Sequence, residues 1–127
     1  MHTMRKTGGL DQPEPMTGLL QNEDCTNFFY YQDIPAGEAG AVTDRYVDVL
    51  AGAGATVLLI NTNARRTVYR SQVWEAFWDG YDPAGPDDQP YLRAVPSDQI
   101  ARYRKLVGNM LELHRQGVDY PERMISR

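Results

Sequence analysis

The clearest strand in the sequence is Thr56-Val57-Leu58-Leu59-Ile60-Asn61. This run is continuously apolar from Val57 to Ile60, is partly β-branched, and follows closely on a helical pattern. Such runs are typical of strands that are buried on both faces of a parallel sheet. The sequence therefore predicts an α/β fold with parallel strands.

The residues before this strand change to a helical period. From Ala41 onward the apolar side chains form one stripe of a helix, made by Val42, Tyr46, Val49, Leu50 and Ala53. Gly52 and Gly54 are suited to end this helix. Because these glycines end a helix and precede a strand, they do not match the glycine fingerprint of a dinucleotide site.

Two shorter segments lie further upstream. The run Leu19-Leu20-Gln21-Asn22 predicts a first strand. The aromatic run Phe28-Phe29-Tyr30-Tyr31 predicts either a second strand or a loop packed into the core.

In the second half of the chain, the sequence pattern predicts two helices separated by a long loop. Ser71 is a candidate cap for a short helix through Trp78. A loop spans residues 79–96, and a loop of that length is usually functional or forms a lid. Ser97 is expected to cap the last long helix, which ends at Gly117.

The two ends of the chain differ in character. Residues 1–17 have no apolar run and are expected to form a flexible lead-in, whereas residues 18–127 are expected to form one domain. Near the carboxyl terminus, Pro121 suits the first turn of a final helical segment, with Met124 and Ile125 as its apolar pair.

Composition excludes several classes of function. The net charge is -4, so there is no basic excess to drive nucleic-acid binding. The single cysteine, Cys25, and the two histidines argue against a disulfide framework and against a metal site, and we expect no cofactor. No segment approaches the ~18 apolar residues of a membrane span, and no signal peptide is evident, so the cytoplasm is the default expectation.

A larger pattern links several segments. The most specific segment of this pattern is residues 61–83. It includes Asn61-Thr62-Asn63-Ala64-Arg65-Arg66-Thr67 and Phe77-Trp78-Asp79-Gly80-Tyr81-Asp82-Pro83. Supporting segments are Asn22-Glu23-Asp24, Phe28 to Tyr31, Asp44 to Asp48, and Glu112 to Pro121. Over about residues 18–127, the chain resembles the N-terminal part of a bacterial glycosyl-hydrolase-like family with a TIM-barrel catalytic domain.

This resemblance implies that the chain supplies the first two βα units of an incomplete (β/α)8 barrel, a fold that takes ~250 residues. The remaining strands are expected beyond Arg127. In related barrels the catalytic carboxylates lie on those later strands, so no residue here is assigned a catalytic role and the chain alone is expected to be inactive. Cys25 departs from the family pattern, in which glycine usually follows the acidic pair.

In such a barrel, binding groups gather at the carboxyl ends of the strands. The candidate substrate-binding residues are Asn22, Glu23 and Asp24 after the first strand, and Asn61, Asn63, Arg65, Arg66, Arg70 and Trp74 after the second. Asn and Asp side chains supply the directed hydrogen bonds that sugars need, and aromatic faces supply stacking surface.

Each acidic or amide candidate also has a structural interpretation. Glu23 and Asp24 are neighbours and would point to opposite sides of a strand, so they do not suit the two carboxylates of a glycosidase. A solvated position or a turn cap is their alternative role. Asn61 and Asn63 either line a pocket or cap the loop through Asx turns.

The remaining candidates carry alternatives as well. The arginines at 65, 66 and 70 could hold an acidic sugar or a phosphate, or could form ion pairs with nearby acids. Trp74 and Trp78 could stack on sugars, although their spacing favours core packing. His114 is expected to be a packed or capping histidine.

Two hypotheses follow. The chain is the N-terminal part of a glycoside-hydrolase-like barrel protein, or it is a small non-catalytic α/β module that binds a ligand or a partner. The expected partners are a carbohydrate or another small molecule, and neither nucleic acid nor a membrane. Self-association through exposed strand edges is a further expectation.

Overall fold

The computed structural model describes residues 18–62 and 65–127. The expected lead-in at residues 1–17 and the candidate Asn63 lie outside these ranges. The elements in chain order are β1 (Leu19–Glu23), α1 (Thr26–Tyr31), α2 (Ala39–Gly52), β2 (Ala55–Ile60), α3 (Ile100–Arg115) and α4 (Tyr120–Ser126). Two short 3-10 turns precede α3, at Pro90–Leu92 and at Ser97–Gln99.

The two strands form a parallel sheet. Leu20 lies opposite Val57, and Glu23 lies opposite Ile60. Two helices, α1 and α2, connect the strands, as a parallel pair requires. The prediction of a mixed α/β fold with parallel strands is therefore confirmed.

The sheet has one covered face and one open face. Side chains alternate along a strand, and Leu58 and Ile60 pack against the helical core. On the opposite face Leu20 and Leu59 remain 43% and 46% exposed. The expectation that β2 is buried on both faces is wrong, because no residue of β2 is fully buried and the described helices cover only one side.

The aromatic run after β1 forms a helix rather than a strand. Phe28 and Phe29 are both fully buried in α1, with their rings 5.0 Å apart in an edge-to-face contact. A strand would send two consecutive side chains to opposite faces, whereas adjacent helical positions can both turn toward one core. The prediction of core packing is confirmed and the prediction of a strand or loop is corrected.

The long helices pack around this aromatic centre. The buried hydrophobic side chains that α2, α3 and α4 contribute are Ala39, Val42, Leu106, Val107, Met110, Leu113, Tyr120 and Met124. Tyr120 contacts the rings of both Phe28 and Phe29, at centroid distances of 5.1 and 4.8 Å. The core therefore lies between the sheet and the C-terminal helices.

The predicted helix limits are partly confirmed. The helix before β2 is present as α2, and the long C-terminal helix ends before Gly117, which has a left-handed φ of 72°. Ser97 begins a 3-10 turn and makes no capping hydrogen bond. In α4, Pro121 occupies the first turn as expected, whereas Ile125 is 76% exposed and does not join Met124 in the core.

The short helix predicted from Ser71 to Trp78 is absent. The Ser71 hydroxyl accepts hydrogen bonds from the N–H groups of Val73 and Trp74, both at 3.1 Å, and so caps a turn. The chain then pairs with Thr67, which donates its N–H to Glu75 and accepts from Phe77. These backbone hydrogen bonds across the loop replace the hydrogen bonds between residues i and i+4 that a helix would make.

Within residues 18–62 and 65–127, none of the helices has the length and apolar character that crossing a bilayer demands.

Candidate functional site

The carboxyl ends of the two strands bring two predicted site residues together. The Asn61 side chain donates to the Asn22 side chain at 3.3 Å, and the Asn61 N–H donates to the carbonyl of Glu23 at 3.0 Å. Both asparagine side chains are exposed. By the alternation along β1, Asn22 belongs to the open face of the sheet that also carries Leu20.

Glu23 points the other way, into the core. Its side chain is fully buried, and one carboxylate oxygen accepts from the Tyr46 hydroxyl at 2.8 Å. The other oxygen has no hydrogen-bond partner among the described residues. Burial, and then the hydrogen bond and charge of Glu23, raise the pKa of Tyr46, so this hydroxyl remains a donor at neutral pH.

Asp24 and Cys25 form the turn after β1. Asp24 is exposed, and its carboxylate accepts a hydrogen bond from the Thr26 hydroxyl at 2.6 Å within this turn. Glu23 is buried and Asp24 is exposed, so the two carboxyl groups do not face a common site, although Asp24 lies beyond the end of β1. Burial, followed by the charges of Asp24 and Glu23, raises the pKa of Cys25 to about 12, so the thiol stays protonated.

The backbone at Cys25 adopts a left-handed conformation with φ of 49°. Glycine takes up this conformation without strain, whereas a residue with a Cβ atom pays ~1–2 kcal/mol. The turn that follows β1 is therefore one that suits glycine, and Cys25 maintains it at an energetic cost.

Arg65 and Arg66 open onto a groove of about 630 Å³. Four aromatic side chains also line it: Tyr30, Phe77, Tyr91 and Tyr103. Its walls come from α1, the segment after β2, the loop before α3, and α3 itself. The volume falls within the ~300–1,000 Å³ of small-molecule sites.

The aromatic wall of the groove is held in place by polar contacts. The Tyr91 hydroxyl donates to the carbonyl of Phe77, and the Arg66 guanidinium lies 5.3 Å from the centre of the Tyr91 ring. The Tyr91 and Tyr103 rings are 6.2 Å apart. Burial, followed by Tyr103, raises the pKa of Tyr91, so its hydroxyl stays protonated.

Arg65 has an unusual backbone. Its φ is 72°, in the left-handed region that costs a residue with a Cβ atom ~1–2 kcal/mol. Its side chain forms no ion pair with any residue in the described ranges. Strained backbone of this kind is concentrated at ligand-binding loops.

Arg70 and Trp74 lie outside the groove lining. Arg70 forms two hydrogen bonds with Asp79, at 3.1 and 3.2 Å, and lies over the ring of Trp78 at 5.4 Å. Trp78 is buried and stacks on His114 with ring centres 4.8 Å apart, which agrees with the packed histidine. Trp74 is 50% exposed, so core packing holds for only one of the two tryptophans.

The aromatic residues of the groove were not among the sequence candidates. Tyr30 and Tyr91 lie 61 positions apart in the chain and have no shared motif. The only sequence signal for them was the length of the loop at residues 79–96, which contains Tyr91 and contributes Ala94 to the wall.

The described residues include no group of three or more histidine, cysteine, aspartate or glutamate side chains able to hold a metal ion. Comparison with known proteins found neither a matching family model nor a matching curated protein.

Proposed function

We propose that this chain is the N-terminal part of a glycoside-hydrolase-like barrel protein, and that it binds carbohydrate in the groove lined by Arg65, Arg66 and four aromatic side chains. The observation that carries the proposal is a groove that four aromatic side chains and two arginines line together. Sugars stack their apolar faces on aromatic rings and take directed hydrogen bonds from polar groups.

The open face of the sheet supports the proposal that this chain is part of a (β/α)8 barrel. In a (β/α)8 barrel the helices cover the outside of the strands, and branched apolar side chains fill the inside. Here the helical core covers one face of the sheet, and Leu20 and Leu59 are left exposed on the other. Asn22 and Asn61 meet at the carboxyl end, where barrel enzymes have their sites.

The described residues favour binding over hydrolysis. Glycosidases use two carboxylates ~5–9.5 Å apart across the scissile bond. No acidic residue lines the groove within the described ranges, and Glu23 is enclosed in the core beside Tyr46. We therefore expect the isolated chain to bind carbohydrate without cleaving it.

The alternative function is a small non-catalytic α/β module that binds a ligand. The observation in its favour is the groove itself, whose lining joins α1, the segment after β2 and α3. The two proposals differ in the role of the open sheet face, which the barrel buries and the small module leaves in water.

Carbohydrate binding can be tested by NMR titration of the ¹⁵N-labelled chain with a panel of neutral and acidic oligosaccharides. The expected result is a set of shifts confined to the groove, with no released sugar in the same samples. Tyr103→Leu retains apolar volume but removes the stacking face, and we expect it to weaken binding about fivefold to tenfold.

Tyr31→Leu is the matched control, because Tyr31 is 67% exposed and does not line the groove. The proposal fails if no member of the panel produces shifts in the groove, or if both leucine variants bind as well as the parent chain. Release of cleaved sugar by the isolated chain would overturn the expectation of binding alone.

A further inference from the structure

The charge of the groove is opposite to the charge of the whole chain. The net charge of the protein is -4, yet the described residues that line the groove include Arg65 and Arg66 and no acid. Such a local excess of positive charge attracts an anionic ligand even when the molecule as a whole is acidic.

Three arginines outside the groove already form hydrogen-bonded ion pairs with aspartates. Arg70, Arg123 and Arg127 each place two hydrogen bonds on a single aspartate, with donor–acceptor distances between 2.7 and 3.2 Å. These bidentate pairs use the geometry that makes arginine a strong carboxylate binder.

The two groove arginines are not engaged in this way. Arg65 has no ion pair with a described residue, and the Arg66 guanidinium approaches Glu75 only to 3.7 Å, beyond hydrogen-bond distance. Glu75 is 73% exposed at that contact, so water screens the pair. Both guanidinium groups therefore keep donors for a ligand, in a groove that Tyr91 and Tyr103 also line, and the Arg66 guanidinium lies over the Tyr91 ring.

We propose that the carbohydrate bound in this groove is an acidic saccharide, whose carboxylate pairs with Arg65 and Arg66 while a sugar ring packs on the tyrosines. This inference rests on the proposed carbohydrate function and specifies its substrate class. A carboxylate is planar and accepts two parallel N–H bonds from a guanidinium group, which a neutral hydroxyl cannot do.

The test compares uronic-acid trisaccharides with the same trisaccharides after reduction of the carboxylate to a primary alcohol. Binding to the whole chain is measured by calorimetry and by NMR shifts. The acidic form is expected to bind at least about tenfold more tightly, and this advantage should shrink as sodium chloride is raised, because salt screens the charges.

Three variants test whether the preference for the acidic trisaccharide comes from the arginines of the groove. Arg65→Gln and Arg66→Gln should each reduce the affinity for the acidic form toward that for the reduced form, and should leave the affinity for the reduced form nearly unchanged. Arg45→Gln is the control: it makes the same change of charge on an exposed part of α2, away from the groove. It should have no effect beyond about twofold. The folded state of each variant is checked by its NMR spectrum.

The outcomes separate the two proposals. Equal binding of acidic and reduced trisaccharides overturns the acidic substrate and leaves the carbohydrate function standing. Binding of neither form overturns both. A third arm uses a sugar phosphate: if it binds at least as tightly as the uronic form through the same arginines, the assignment of a carboxylate is wrong.

Discussion

Glu23 places a carboxylate inside the hydrophobic core, and the described residues supply a hydrogen-bond donor to only one of its oxygens. Burial of a carboxyl group with incomplete hydrogen bonding is costly, so the single bond from Tyr46 has more effect than a surface bond would. The neighbouring Tyr120 hydroxyl is also buried and lacks a partner among the described residues.

Removal of the Tyr46 hydroxyl is expected to destabilise the protein. Tyr46→Phe leaves the Glu23 carboxylate without its donor, and we expect a loss of about 1.5–3 kcal/mol in the free energy of unfolding. Urea denaturation measures this loss. Tyr31→Phe is the control, because that hydroxyl is exposed, and it should cost less than ~0.5 kcal/mol. A loss equal to that of the control would show that Glu23 does not depend on Tyr46.

Cys25 is expected to be chemically inert in the folded protein. The side chain is buried, and its pKa is raised to about 12, so almost no thiolate exists at pH 8. Modification by an aromatic disulfide reagent should therefore be at least about a hundredfold slower in the native protein than in urea. Stoichiometric labelling of the native chain within the mixing time would contradict the buried position of Cys25.

Helix α4 is attached to the rest of the fold by two kinds of contact. The short helix α4 inserts Tyr120 and Met124 into the core, and its outer side is tied to α2 by two bidentate pairs, Arg123 with Asp44 and Arg127 with Asp48. These pairs are exposed to solvent, so their contribution depends on pH and on salt.

Acid is expected to loosen α4. The hydrogen bonds from Arg123 and Arg127 lower the pKa values of Asp44 and Asp48. A lowered pKa in the folded state means that the stabilisation is fully present above the ordinary pKa of aspartate, about 3.9, and is lost progressively as the pH falls from there through the lowered pKa of the folded state. Amide hydrogen exchange in α4, corrected for intrinsic rates, should therefore become faster relative to α3 between pH 5 and pH 3 on the order of several-fold.

Asp44→Asn tests the cause of this effect. The variant should already exchange faster in α4 at pH 7, and should respond less to acid than the parent chain. If α4 of the parent is equally protected at pH 3 and pH 5, the burial of Tyr120 and Met124 alone determines its attachment.

At the scale of the whole molecule, the main apolar surface that no described element covers is the open face of the sheet. Leu20 and Leu59 are exposed there, and each strand pairs with only one neighbour within the described residues. Uncovered apolar faces and strand edges promote association with another chain.

The isolated chain is expected to self-associate through this face. Its average mass in sedimentation equilibrium should rise with concentration, and Leu59→Lys should weaken the association about tenfold or more, because it places a charge on the apolar face. Val49→Lys is the control, since Val49 is 68% exposed on α2, and it should associate like the parent. A parent chain that stays monomeric at all concentrations would favour the small binding module over the barrel.

The elements that could be predicted from sequence are those with a strong local pattern. The apolar run at residues 57–60, the helical period of α2 and the glycine after α3 depend on neighbours a few positions away, so their period and end signals were sufficient. The predicted apolar stripe of α2 is only partly buried, since Val42 is in the core whereas Val49 is 68% exposed. The turn at Ser71 and the helix at Phe28 were mispredicted, because contacts with Thr67 and with the distant Tyr120 compete with the local pattern.

The sequence by itself determined the α/β class, the parallel strands and the position of Asn61 at the carboxyl end of the second strand, since each follows from apolar periodicity and from the order of strands and helices along the chain. The tertiary structure alone determined which arginines form bidentate pairs with aspartates and which line the groove. Whether a guanidinium group meets a carboxylate or a tyrosine ring depends on residues far apart in the chain, which are brought together only when the helices pack on the sheet.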